Sequence, residues 1–393
     1  MTTLPRVRAA RRAADIEPFQ VMDVLARAQE LEAAGRHVIH MEIGEPDFTA
    51  PDAVVEAGVR ALRGGLTAYT ATLGLAALRE AIAAWTSRQF GQALDASRIA
   101  VTPGASGGLQ LALAMYVDPG DEILVPDPGY PGYRHFVRAF EGVARALPLT
   151  PLSGYQPTLE MVRAAWGPRT RGLLLGSPSN PTGTLIARGE LERIAHFVAE
   201  RGGVLIADEI YQGLVYDEPP ASALGLPGEV VLVNSFSKYF CMTGWRLGWV
   251  VLPEARVRDF EKLAQHFYIC APSAAQHAAL AAFEPGTLQV LEERRLEFRR
   301  RRDFLLPALE RAGLAVPVRP AGAFYVYADC SAYGGDAKRF ALQMLEDAGV
   351  AATPGLDFGA NGTQGCLRFA YTRSFADLEE AAARIASYCA ARR

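Results

Sequence analysis

Long apolar runs are missing from this chain of 393 residues, and without a stretch of about 18 such residues nothing in it reads as a membrane-spanning helix. Cysteine is scarce. The five, Cys241, Cys270, Cys330, Cys366 and Cys389, are scattered, odd in number and never at the two-residue spacing of a zinc knuckle. They read as reduced thiols of a cytoplasmic protein, and no metal site is expected. Charge of one sign is also lacking: 40 Lys and Arg against 43 Asp and Glu leave a formal net charge of −3, which disfavours nucleic acid as the main partner. No apolar segment with a small-residue cleavage site follows Arg6, Arg8, Arg11 and Arg12, so export has no support. Repeats and low-complexity segments are absent too. The one dense basic cluster, Arg294, Arg295 and Arg299 to Arg302, alternates with Glu292, Glu293, Glu297 and Asp303, and reads as a solvated, salt-bridged helix face.

What is present is a globular composition, half hydrophobic, with 37 glycines and 25 prolines to make turns. The length exceeds what a single core usually supports, so two domains are expected. Helical periodicity covers 19–34, 51–62, 75–90, 109–115, 188–201 and 292–311. Strand-like runs occupy 38–43, 99–102, 123–125, 173–175, 204–207, 230–233, 324–327 and 366–370. The central runs are short, apolar and mostly separated by helices, the pattern of a largely parallel sheet covered on both faces. The texture changes after Phe283. The expected division is therefore an N-terminal arm with part of a small domain (1–50), a large domain (51–285) and a C-terminal small domain (286–393).

Polar residues follow each central run, which brings them to one sheet edge, where α/β proteins place ligands. Asn180 comes after the run 173–175, Asp208 and Glu209 after 204–207, and Ser235, Ser237 and Lys238 after 230–233. Arg246 stands eight residues beyond Lys238. A lysine in such a cleft can form a Schiff base with a carbonyl, while two hydroxyls and a guanidinium can hold a phosphate. Together they suggest a phosphorylated aldehyde, pyridoxal phosphate. Pro103 to Gly108, between a strand and a helix, is laid out to aim free backbone N–H groups at an anion. The loop from Asp127 to Tyr133 offers two aromatic faces.

Asn180-Pro181-Thr182-Gly183, Asp208-Glu209-x-Tyr211, Ser235-x-Ser237-Lys238, Arg246 and Arg368 resemble, in order and spacing, the class I and II pyridoxal-phosphate aminotransferases. The resemblance runs from about Gly44 to Arg368. It implies fold type I, an α/β architecture: a large domain with a mostly parallel seven-stranded sheet flanked by helices, plus a smaller α+β domain. It also implies that Lys238 holds the cofactor and then carries the proton between Cα and C4′. Asp208 would pair with the pyridine nitrogen; Tyr211 and Asn180 would bind the ring oxygen. Tyr130 would stack on the ring. Ala105, Ser106, Ser235, Ser237 and Arg246 would hold the phosphate. Arg368 would grip the substrate α-carboxylate, with Asn180 and the backbone at Gly44 completing that site. Tyr69 matches a tyrosine that reaches the phosphate of a neighbouring subunit, which implies a homodimer with shared active sites.

The implied partners are an L-amino acid and a 2-oxo acid such as 2-oxoglutarate or pyruvate. Aspartate, alanine and aromatic amino acids all remain open as donors. A dicarboxylate would need a second cation, for which Arg12, Arg36, Arg134 and Arg138 are available without a decisive motif; Ile16 and Phe19 leave an apolar mouth as the other option. A carbon–sulfur β-lyase could use the same lysine and cofactor. A decarboxylating acyl-CoA synthase fits less well with a retained carboxylate clamp, and a non-catalytic regulatory module fits less well with a complete set of reactive groups.

Overall fold

A computed structural model describes residues 8–392 of the chain. Arg6, placed above in the N-terminal arm, lies outside the described residues together with the rest of 1–7. Strand β1 (Ile39–His40) precedes the main sheet. That sheet contains β2 (Ile99–Thr102), β3 (Glu122–Asp127), β4 (Val143–Pro148), β5 (Thr170–Gly176), β6 (Val204–Asp208), β7 (Glu229–Ser235) and β8 (Gly248–Val251). Beyond it come β9 (Tyr325–Asp329), β10 (Val350–Ala351), β11 (Thr353–Pro354) and β12 (Cys366–Ala370).

The seven-stranded sheet has the order β2-β8-β7-β6-β5-β3-β4. Strands β4, β3, β5, β6 and β7 pair in parallel; β8 runs against both of its neighbours, β7 and β2. Helices on both faces explain why β6 is buried at every position and β5 at nearly every one. Edge strand β4 is mostly exposed, and its mixed sequence hides it from a search for apolar runs. Because β5, β6 and β7 are adjacent and parallel, their C-terminal ends deliver Asn180, Asp208 and Lys238 to one edge.

The remaining strands make a second body. β12 lies between β9 and β11 in an antiparallel sheet, while β1 pairs with β10, so the N-terminal segment packs with the C-terminal one. The expected strand 38–43 is ordered as a strand only at Ile39 and His40, because only these two pair with β10. A 28-residue helix, Pro285–Ala312, leads into this body. Its arginine cluster corrects the solvated-face expectation in part: Arg301 and Arg302 are buried. Arg302 makes bonds of 2.6 and 3.0 Å to the Asp217 carboxylate, and Arg301 reaches Asp47 at 2.7 Å. A guanidinium taken out of water needs such partners. Among the described residues, no helix is long and apolar enough to cross a membrane.

Candidate active site

The loop after β7 shows how local sequence aims a lysine. Phe236 enters the core, with ring centroids 5.0 Å from both Phe240 and Trp249, and its neighbours Ser235 and Ser237 face the other way. The Ser237 N–H donates to Ser235 Oγ at 3.0 Å, and the Thr243 hydroxyl donates to the Ser237 carbonyl at 3.1 Å. Lys238 Nζ then projects into a cavity of about 350 Å³, where it donates to the carbonyl of Gly44 at 2.7 Å. Although Lys238 keeps some surface in the cavity, its amine is deep enough that loss of water dominates. Desolvation, with Arg368 nearby, brings its pKa down to about 8, so a neutral amine is accessible near physiological pH.

At one end of the cavity Ser235 and Ser237 meet the first turn of the helix Gly104–Tyr116, where Ala105 and Ser106 line the wall. This helix starts five residues earlier than its apolar periodicity suggests, which puts the glycine turn itself in the first turn. Arg246 lies against Gly104: a Cβ there would sit 2.5 Å from the guanidinium Nη2, and the φ of +70° also favours glycine. Free N–H groups, two hydroxyls and one guanidinium converge, a donor set suited to a phosphate.

Asp208, at the end of β6, is buried. Its Oδ2 accepts from the Tyr133 hydroxyl at 2.7 Å and its Oδ1 from the Ile210 N–H at 3.2 Å. Desolvation raises its pKa to about 6, against the lowering effect of those hydrogen bonds and of Lys238. Burial and the same carboxylate hold the Tyr133 phenol well above its ordinary value, keeping it a donor. Tyr130 lines the wall beside it, edge-to-face with Tyr133 at 5.3 Å. A cationic ring nitrogen facing Asp208 would keep that carboxylate ionised.

Arg368, from the middle of β12, is buried at the far side. Nη1 donates to Asn180 Oδ1 at 3.0 Å, and Nη2 to the Glu42 carbonyl and to Thr353 Oγ1, the latter at 3.1 Å. The guanidinium stacks on Tyr325 and Phe358, 4.5 and 4.9 Å from their centroids. Its Nε is buried with no hydrogen-bond partner among the described residues. A buried guanidinium oriented by neutral acceptors and keeping an unpaired donor suits a carboxylate partner.

Almost all of the site residues expected from sequence line this one cavity: Gly44, Ala105, Ser106, Tyr130, Asn180, Asp208, Tyr211, Ser235, Ser237, Lys238, Arg246 and Arg368. Tyr69 does not; it is 78% exposed on the surface of the chain. Gly44 differs in detail. Its carbonyl holds Lys238, whereas the Glu42 carbonyl is what seats Arg368. Tyr211 bonds to the Tyr325 hydroxyl at 2.7 Å, and a Cβ on Gly44 would lie 2.2 Å from that same hydroxyl, which explains the glycine.

Sequence reasoning missed the partners of these groups. Tyr133 stands three residues after Tyr130, at the start of the helix Gly132–Ala139 that follows the loop. Tyr325, Thr353, Asp357 and Phe358 gave no local signal. His40 is bonded to the buried Glu42 at 2.7 Å and to Glu32 at 3.1 Å, and the Glu42 hydrogen bond raises its pKa.

The residues fit pyridoxal phosphate at each point that can be tested: a desolvated amine, a phosphate-sized donor cluster closed by Gly104 and Arg246, a buried carboxylate, and an arginine with an open donor. Comparisons with known proteins agree. The family model for aminotransferase class I and II matches residues 36–385. The valine–pyruvate aminotransferase of Mycobacterium tuberculosis is 37% identical over 95% of this chain and 97% of its own length. A crystal structure of an aminotransferase from Mycobacterium tuberculosis superposes with a TM-score of 0.95 at 37% identity, covering 98% of this chain and 100% of that one. Aspartate aminotransferase from Thermus thermophilus with maleate gives 0.91 at 36% identity, covering 97% and 100%. With site geometry, whole-chain sequence and whole-chain fold in agreement, this chain belongs to the class I and II aminotransferases and is a pyridoxal-phosphate-dependent transaminase of amino acids and 2-oxo acids.

Proposed function

We propose that the amino donor is an L-amino acid with an apolar, uncharged side chain, and that its amino group passes to a 2-oxo acid such as pyruvate or 2-oxoglutarate. One observation carries this reading. Beyond Arg368, the cavity mouth is lined by Phe19, Val21, Met22, Ile43 and Phe358. The arginines considered for a second carboxylate are engaged or sited elsewhere. Arg12 faces Glu141, Arg138 pairs with Asp15, Arg134 donates to the Asp357 carbonyl, and Arg36 does not line the cavity. An apolar pocket favours each added methylene of a donor by about 1–3 kcal/mol. The name of the Mycobacterium tuberculosis relative, which cites valine and pyruvate, points the same way.

When bound, pyridoxal phosphate supplies the electron sink for the pair left on the substrate Cα. In this reading the Arg368 guanidinium holds the α-carboxylate and Asn180 steadies it. Lys238 Nζ, neutral above about pH 8, takes the proton from Cα. Asp208, oriented by Tyr133, presents its carboxylate to the ring nitrogen, and Tyr211 with Asn180 serves the ring oxygen. Ser235, Ser237, Arg246 and the helix start at Ala105 and Ser106 hold the phosphate, while Tyr130 covers the ring face.

Tyr69 belongs in this proposal as a residue lent to a second copy. Its exposure, and that of Leu62 and Leu66 in the same segment, supports a homodimer with shared sites. The division into 1–50, 51–285 and 286–393 is likewise part of the reading, supported by the pairing of β1 with β10.

A second reading, a dicarboxylate donor served by a cation from the other subunit, is favoured by the Thermus thermophilus structure with maleate. Single-turnover assays decide between them. Valine, leucine, phenylalanine, alanine and aspartate are mixed with the loaded enzyme, and decay of the lysine-bound cofactor absorbance is followed. Valine, leucine or phenylalanine should react fastest, and aspartate leading by tenfold would overturn the apolar reading.

A further inference from the structure

The helix Val21–Ala33 begins without a capping side chain of its own: Gln20 stands at the cap position and makes no such bond. The cap comes from the other end of the chain. Asp357 Oδ1 accepts from the Gln20 N–H at 2.7 Å, and its Oδ2 accepts from the Val21 N–H at 3.0 Å. Asp357 is buried at 3% exposure and finds its compensation in these two donors at the positive end of a 13-residue helix.

The segment that carries Asp357 is itself held on the loop that presents Tyr130. The Arg134 guanidinium donates to the Asp357 carbonyl at 3.0 Å and the Gly129 N–H to the Phe358 carbonyl at 2.9 Å. The Asp127 carboxylate accepts the N–H groups of Ala360 and Asn361, each at 3.1 Å. Phe358, next in sequence, stacks on Arg368. One short segment therefore touches the cofactor loop, the carboxylate clamp and the start of the helix Val21–Ala33.

We infer that Asp357 is a positioning residue for side-chain selection: by capping the helix it fixes Phe19, Val21 and Met22 at the cavity mouth. The rest of the helix has independent anchors. Val24, Ala28 and Leu31 are buried with Val38, Leu345 and Ala351, and Lys338 meets Asp23 at 3.3 Å. Loss of the cap thus frees the first turn without undocking the helix. The inference rests on the apolar-donor reading for its kinetic consequence but not for its structural one.

The experiment compares Asp357→Ala and Asp357→Asn with wild type, all loaded with pyridoxal phosphate, the retained cofactor absorbance serving as the check on folding. Hydrogen exchange at the amides of Gln20 and Val21 should accelerate about fivefold or more in Asp357→Ala, and less in Asp357→Asn, which keeps one acceptor. The ratio of kcat/KM for phenylalanine over alanine should fall about tenfold, chiefly through KM. Unchanged exchange at 20 and 21, or equal losses for phenylalanine and alanine, overturns the assignment. Accelerated exchange in an enzyme that prefers aspartate supports the positioning role and overturns the apolar-donor reading, so the two are judged separately.

Discussion

The two ends of the cavity are built differently. The cofactor end is made from the ends of β6 and β7 and the helix Gly104–Tyr116, where each polar group follows closely on a buried apolar run. The substrate end is assembled from β12, the nearby segment around Asp357 and the helix Val21–Ala33, which lies more than 300 residues earlier in the chain. At the cofactor end some ties stay within one loop, as Ser237 is bound to Ser235 and Thr243, while Lys238 reaches Gly44 and Asp208 reaches Tyr133. Groups at the substrate end are tied across the chain, as Arg368 is to Glu42 and Gln20 to Asp357. The contrast lies in where the groups come from: those of the cofactor end follow buried strands at short spacing, and those of the substrate end meet only through packing.

The largest effect should come from breaking the cofactor end. Lys238→Ala should lose on the order of 10⁴-fold in turnover, together with the visible absorbance of the lysine-bound cofactor. At the substrate end, Arg368→Lys keeps the charge and loses the planar fork. It should lower kcat/KM for amino acids roughly a hundredfold in steady-state assays while leaving cofactor affinity intact. Equal damage to both quantities would dissolve the distinction between the ends.

A subtler probe is Tyr133→Phe. The Tyr133 hydrogen bond holds the Asp208 pKa down, so its removal should raise that pKa beyond about 6 and weaken cofactor binding about tenfold, measured by fluorescence titration. pH offers a fourth test. Below about pH 6 Asp208 is neutral, and below about pH 8 Lys238 is mostly the ammonium. The rate at which the stripped enzyme captures pyridoxal phosphate should therefore rise from pH 6 to 8 and level off above it. At pH 7 a lysine of this pKa is neutral in roughly one molecule in ten, far more than an ordinary lysine. The smallest change is expected from Tyr325→Phe, which removes the hydroxyl partner of Tyr211 and should cost only a few-fold in kcat.

Much of the cofactor end was legible in sequence because its residues follow apolar strands at short spacing. Lys238, Asp208, Asn180 and Arg246 could each be assigned from that pattern and the family resemblance. The partner groups were not. Tyr133 is an ordinary aromatic until β3 and β6 are seen to bring its hydroxyl to Asp208. Arg302 read as one of a row of solvated charges, yet the long helix turns it toward Asp217 and out of water. Strand β4, exposed at a sheet edge, had no apolar run to betray it.

By itself the sequence determined the reaction class, because a lysine, a carboxylate, a phosphate cluster and a late arginine must keep their residue types to do that chemistry. Only the tertiary structure decided what surrounds them. Burial brings Lys238 and Asp208 to pKa values of about 8 and about 6, and it depends on every element packed around the cavity. The bonds from the Gln20 and Val21 N–H groups to Asp357 are likewise made in space, between residues that no local pattern connects.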